Sequence, residues 1–410
     1  MKKIVFIIIC TILANFLQAA NTGKVFNVRD FGATGNGKKD DYSSIIRCIN
    51  EALKEPESII EFPSGRYLLS QTLFVESNAT FTIRGVSSAK KPVLFTKTAT
   101  TVLSIKSIAG RKGDLKISNL SFESKNPRFS QNHPFINKKL SWKCGIKVFD
   151  KDIVHIDDVS IKDVYGFGIH ISANAAYIDK AIINDCWGFN PVDDNHGDGI
   201  YVWYVFNGSV TNCIVVNNFN KTGQLGRAGI VLEYECKNIN VQNNYVSGYD
   251  RGIHIESDYG NLNISENNVS GSDLGILIGQ PQIDGKNYPV VVNNNTISNR
   301  NLKMIPGLRK IWGARPADQP ETRTLLSIIA DSNSRDGTVI SNNTIILDGN
   351  YSYFANSIID VEANGISLIN NKISLINQVK LNKPIKVRLL KNTIMKSNIS
   401  KNLSTIYKDQ

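Results

Sequence analysis

Through the middle of this chain, short runs alternate Ile, Val and Leu with polar residues, the period of a strand that buries one face. Six of these runs are headed by the dipeptide Gly-Ile, at Gly145, Gly168, Gly199, Gly229, Gly252 and Gly275, with intervals of 23, 31, 30, 23 and 23 residues. The pattern is a unit of 23 residues, lengthened at two places. Units this short, and this rich in Val, Ile and Asn, do not form helix pairs; they bury their apolar faces by stacking on one another. The spacing predicts one coil of a parallel β-helix per unit.

A second column runs in the same register. Asn119, Asp157, Asn184, Asn212, Asn243, Asn267, Asn294, Asn342 and Asn370 each precede a short apolar strand, in strings such as VQNNYVSG and VVNNNTIS. Asn accepts the left-handed backbone of a tight corner, and its amide can bond to the same amide one coil away.

If Ile points inward in Gly-Ile-x-Ile-x, the x positions point outward. Coil by coil these are His170 and Ser172, Tyr201 and Trp203, Val231 and Glu233, His254 and Glu256, then Leu277 and Gly279. A plain structural face would carry Thr, Ser, Asn and Lys. Here, with coils roughly 4.8 Å apart, His, Tyr, Trp and Glu share one patch. The lengthened segments (121–142, 185–198, 213–228 and 298–323) all fall before such a strand, where loops would wall the patch. The last is basic and carries Trp312; the second carries His196.

Lys2 and Lys3, an apolar run from Ile4 to Leu17, then Ala19 and Ala20 read as a signal peptide over residues 1–19, with the rest secreted or periplasmic. No later stretch is apolar enough for a membrane span, so the protein is not expected to be membrane-embedded. A single β-helix domain is expected over 20–410, with an N-terminal cap at 24–70, coils at 71–375 and a C-terminal cap at 376–410. The formal net charge of +11 fits an anionic polysaccharide, whereas export argues against nucleic acid. Five cysteines follow the leader, an odd number without metal-binding spacing, and Cys186 and Cys213 fit as small interior residues.

The segment VFNVRDFGATGNGKKDDYSSIIRCINEAL, followed by EFPSGRYLLSQTL, resembles the N-terminal signature of the pectate-lyase-like superfamily, secreted β-helix proteins that include polygalacturonases, polysaccharide lyases and tailspike depolymerases. The resemblance implies an all-β, right-handed parallel β-helix with an N-terminal capping helix. In that helix Asp40 or Asp41 would cap, and Ile45, Ile46, Ile49 and Leu53 would face the first coil. NPVDDNHGDGIYVW is similar to the polygalacturonase catalytic string, which implies a catalytic role for Asp198. The next coils depart from that family: Arg227-Ala228 replaces its Asp pair, Asp250-Arg251-Gly252 its Gly-His-Gly, and its Arg-Ile-Lys clamp is missing. The chain is not a polygalacturonase in the strict sense.

Two chemistries suit the patch. Glycoside hydrolysis would use Asp198, Glu233, Glu256 and Asp250 as acid and base or nucleophile, with His254 in support. Tyr201, Trp203, His170, His196 and Trp312 would bind sugar, and Arg227 and Arg251 would orient the carboxylates. Hydrolysis is the leading expectation, with no cofactor or metal. Lyase or C5-epimerase chemistry would turn to Arg227, Arg251 and a His or Tyr base, with Asp193, Asp194 and Asp198 as the place for calcium in a lyase. A third reading is a non-catalytic polysaccharide-binding scaffold. The sequence leaves a homotrimer open.

Overall fold

The computed structural model describes residues 23–86, 90–109, 112–125, 143–187, 197–218, 226–272, 274–300, 325–329, 334–348, 357–377, 386–389, 394–396 and 399–401. The expected leader, His196, Trp312, Asp193, Asp194 and most of the four lengthened segments lie outside these residues.

Among the described residues, parallel strands stack from Val25–Asn27 to Ile399–Lys401 in two sheets, one of 21 strands and one of 13. A typical coil supplies two strands to the larger sheet and one to the smaller, as in Gly226–Glu233, Ile239–Gln242 and Tyr245–Ser247. The register follows the sequence repeat: Ile146, Ile169, Ile200, Ile230, Ile253, Ile276, Leu326 and Ile359 pair in succession. These side chains line one continuous apolar interior.

The glycines of the Gly-Ile column are needed for space. A Cβ at Gly229 would lie 2.2 Å from Val246 Cγ1 and 2.8 Å from the Gly252 carbonyl oxygen, and Gly145, Gly168, Gly199, Gly252 and Gly275 meet equivalent neighbours. Both the glycine and the following Ile therefore face inward. Strict alternation slips at this dipeptide, and the residue before the glycine returns to the outer face. The outer surface thus has a column that alternation hides: Cys144, Phe167, Asp198, Ala228 and Arg251.

The Asn column divides into two roles. Asn119, Asn212, Asn243, Asn294, Asn342 and Asn370 hold positive φ at the corner, as expected, but Asp158, Asp185 and Glu266 do so where the neighbouring residue was expected. Amide stacking belongs to the next position. Asn244, Asn267, Asn295, Asn343 and Asn371 are buried, and each Nδ2 but the last donates to the following Oδ1 at 2.9–3.0 Å. Each Nδ2 also donates to a strand carbonyl, and each Oδ1 accepts a backbone N–H from the coil before, so every buried polar atom of the ladder has a partner. In earlier coils the same position is apolar, with Leu120, Val159, Cys186 and Cys213 all buried.

At the N-terminal end, the helix Tyr42–Ala52 turns Ile45, Cys48, Ile49 and Ala52 onto the first strands, with Ile46 and Leu53 partly buried against the same core. Capping is divided between the two aspartates. Asp40 Oδ1 accepts the Tyr42 N–H at 3.1 Å, whereas the Asp41 carboxylate, in the N-cap position, accepts from Thr34 and Gly35 in the preceding loop. No described helix is long and apolar enough to cross a membrane.

Candidate functional site

The site grows out of three outer columns on successive coils. His170, Tyr201, Val231 and His254 pair in one register, and Trp203, Glu233 and Glu256 in another. The structure therefore brings together Asp198, Tyr201, Arg227, Glu233, Arg251, His254 and Glu256, from three adjacent coils.

Arg227 is the hub. Its Nε and Nη2 donate to Asp198 Oδ1 and Oδ2 at 2.9 and 2.8 Å, and its Nη1 donates to Glu233 Oε1 at 3.2 Å. The Ala228 N–H also donates to Asp198 Oδ1, at 3.0 Å. Asp198 is fully buried and both of its carboxylate oxygens accept from Arg227, so the carboxylate holds that side chain. Charge-assisted bidentate pairing of this kind fixes geometry as well as charge. The Asp198 and Glu233 carboxylates raise the Arg227 pKa against the desolvation that lowers it. The Tyr201 hydroxyl donates to Glu233 Oε2 at 2.8 Å, and burial beside that carboxylate pushes the phenol well up.

His254 links the two glutamates. Its Nδ1 lies 3.4 Å from Glu233 Oε1 and its Nε2 lies 3.2 Å from Glu256 Oε2. Burial lowers its pKa to about 4, so at neutral pH the ring carries a single N–H. Arg251 Nη1 lies 3.3 Å from Nδ1 and can only donate; the proton is therefore assigned to Nε2, facing Glu256. That contact holds the Glu256 pKa below its ordinary value. The two carboxylates differ in access: the Glu233 side chain is 8% exposed and that of Glu256 is 49% exposed. Asp250 stands at the margin, with Oδ2 3.9 Å from Arg251 Nε.

His170 sits apart from this network. Phe149, Phe167, Tyr201 and Trp203 surround its ring at centroid distances of 4.8, 5.0, 4.8 and 5.3 Å. Burial lowers its pKa to about 3, and its Nε2, like Trp203 Nε1, is buried without a hydrogen-bond partner. Phe149 and Phe167 were not among the expected site residues; Phe167 belongs to the column that the slip at Gly168 creates. Tyr204 and Tyr234, at corners where regular alternation fails, were also missed.

Glu233, His254 and Glu256 each offer a ligand atom within 4.8 Å of the others, the spacing a metal would need. The donor set suits an ion poorly. Arg227 already donates to the Glu233 oxygen, and Arg251 faces the His254 nitrogen, so a cation would displace or repel two guanidinium groups. The described patch opposes two guanidinium groups, Arg227 and Arg251, to four carboxylates, Asp198, Glu233, Asp250 and Glu256. The chain's positive surplus is therefore not concentrated among these groups.

A family model described as a right-handed β-helix region matches residues 111–297. Among curated proteins, the uncharacterized protein YclG of Bacillus subtilis (strain 168) is 23% identical over 248 residues, which is 55% of this chain and 42% of that protein. The chain thus spans less than half the length of this relative. The solved Dettilon tailspike protein superposes with a TM-score of 0.59 at 14% identity, covering 94% of this chain and 68% of that one. The catalytic unit of a GH87 alpha-1,3-glucanase from Streptomyces thermodiastaticus gives 0.56 at 15%, with 96% and 71% coverage. The A-module of the Azotobacter vinelandii mannuronan C-5 epimerase AlgE4 gives 0.52 at 15%, with 90% and 99% coverage. Coil register, family match and structural likeness agree with the N-terminal motif: the chain is a right-handed parallel β-helix protein.

Proposed function

We propose that this is an exported carbohydrate-active enzyme that hydrolyses a glycosidic bond with Glu233 and Glu256. One observation carries the reading: two carboxylates on adjacent coils offer oxygens within 4.8 Å of each other, one buried and oriented, the other open to solvent. Oxygens this close are compatible with the retaining arrangement, carboxyl groups roughly 5–5.5 Å apart, in which one carboxylate attacks the sugar and the other serves as acid, then base. Glu233, fixed by Arg227 and Tyr201, is the nucleophile or charge stabiliser. Glu256 is the acid/base. In the open site His254 keeps Glu256 ionised; a sugar laid over it would strip its water and leave it beside the Glu233 charge, and both effects raise its proton affinity. Asp198 acts through Arg227 as a positioning residue.

The charge balance favours hydrolysis of a neutral glycan over elimination from a uronic acid. An excess of carboxylates stabilises an oxocarbenium-like transition state, whereas a uronate would need free cations. Arg227 is held by Asp198 and Glu233, whereas Arg251 meets a carboxylate only at 3.9 Å, from Asp250, and the scheme requires no metal. Likeness to a glucanase and to an epimerase supports the broader carbohydrate-active reading. The test is turnover of the purified protein on neutral and acidic polysaccharides, recording new reducing ends and ultraviolet absorbance of unsaturated ends together. Reducing ends alone, from neutral substrates, are the expected result. An absorbance signal from uronates would replace hydrolysis with elimination.

A further inference from the structure

Corner residues with positive φ recur throughout the described coils, and they are mostly Asn, Asp, Glu or Lys. Two are aromatic: Tyr204, with φ 51°, and Tyr234, with φ 52°. A bulky side chain gains nothing from the left-handed conformation, and Asn would occupy it with less strain. Strain of this kind, kept at a defined position, is a pointer to function. The two tyrosines are on successive coils, joined by the Tyr204 N–H donating to the Tyr234 carbonyl at 2.8 Å. Their rings stack, with centroids 5.9 Å apart and planes 24° apart, and remain 38% and 43% exposed. Trp203 closes the inner side, 5.1 Å from Tyr204 and 6.0 Å from Tyr234. Tyr234 directly follows Glu233, and the Glu233 and Glu256 charges contribute to the upward shift of its phenol.

Resting on the hydrolase reading, we infer that Tyr204 and Tyr234 form a sugar-stacking subsite beside Glu233 and Glu256 that holds a neutral hexosyl unit next to the bond being cleaved. Flat aromatic faces match the C–H face of a pyranose. Continuity with the carboxylates assigns the platform to the same glycan, and the surplus of carboxylates argues against an acidic sugar there.

The experiment compares Tyr204→Asn, Tyr234→Asn and their double variant with wild type and with Glu256→Gln. Asn suits the corner, so these variants should keep or raise Tm. Tyr177→Ala is the control, since Tyr177 is also 38% exposed and stacked on a ring, that of His155, in the outer part of another strand. Titrations use maltohexaose, laminarihexaose, cellohexaose and hexagalacturonate. Wild type and Glu256→Gln should bind a neutral hexasaccharide, and the double Tyr variant should lose at least about tenfold in affinity. Tyr177→Ala should lose none. Unchanged affinity with lowered Tm in the Tyr variants would make the rings structural and overturn the subsite. So would absence of neutral oligosaccharide binding by wild type up to about 10 mM, or preference for hexagalacturonate. Full turnover by Glu256→Gln would instead sink the hydrolase mechanism, leaving the binding result to judge the platform by itself.

Discussion

The inside and the outside of the same coils obey opposite rules. Inside, a column repeats one residue: Ile on Ile, Gly on Gly, Asn244 on Asn267 on Asn295. Outside, the column through His170, Tyr201, Val231 and His254 changes at every coil. Identical interior neighbours satisfy one another, since each supplies the shape or hydrogen bond that the next requires. A site is singular, so its residues must differ from coil to coil. In a solenoid, repetition marks what holds the chain together, and departure from repetition marks what it was selected to do.

The contrast can be broken from either side. Glu256→Gln should have the largest effect, lowering kcat by about 10³-fold with Tm unchanged; a fall in Tm without loss of turnover would move Glu256 to the structural set. Gly229→Ala should do the reverse. Its new Cβ meets Val246 Cγ1 at 2.2 Å and must push two sheets apart, at a cost of about 1–3 kcal/mol read from denaturant unfolding.

The ladder offers a finer test. Asn295→Ala removes the acceptor for the Asn267 backbone and side-chain N–H groups and the donor to Asn343, and should cost about 1–3 kcal/mol. Asn371→Ala, at the end of the described ladder, should cost less. Equal costs would mean that stacking contributes nothing beyond each single contact.

The smallest effect is a shift in pH dependence. His254 holds the Glu256 pKa down, so His254→Gln should let it rise. Protonated Glu256 would then persist to higher pH, and the alkaline limb of kcat/KM should move to higher pH. A limb that stays in place would show that His254 does not tune Glu256.

The interior was legible because its rule is repetition: Gly145 to Gly275 and the Asn strings can be counted along the chain. The corner and ladder roles merged because Asn243-Asn244, Asn294-Asn295, Asn342-Asn343 and Asn370-Asn371 are adjacent pairs, and counting alone does not say which Asn turns and which stacks. The site was half legible. Alternation put Tyr201, Glu233, His254 and Glu256 on one face, but it assumes an unbroken strand. It therefore missed Phe167, placed by the slip at Gly168, and Tyr234, placed by a corner. The clamp between Arg227 and Asp198 joins residues 29 apart in sequence, and only the stacking of coils reveals it.

The Asn ladder also bears on how such a protein changes length. Each amide asks only for another amide one storey above and a carbonyl below, and every storey from Asn244 to Asn343 supplies both to its neighbours. A duplicated coil spliced between two of the storeys beyond Asn267 would arrive with its own hydrogen-bonding partners in place. The stretch C-terminal to the site is thus a region where gene duplication could lengthen the protein while the carboxylate pair stays in register.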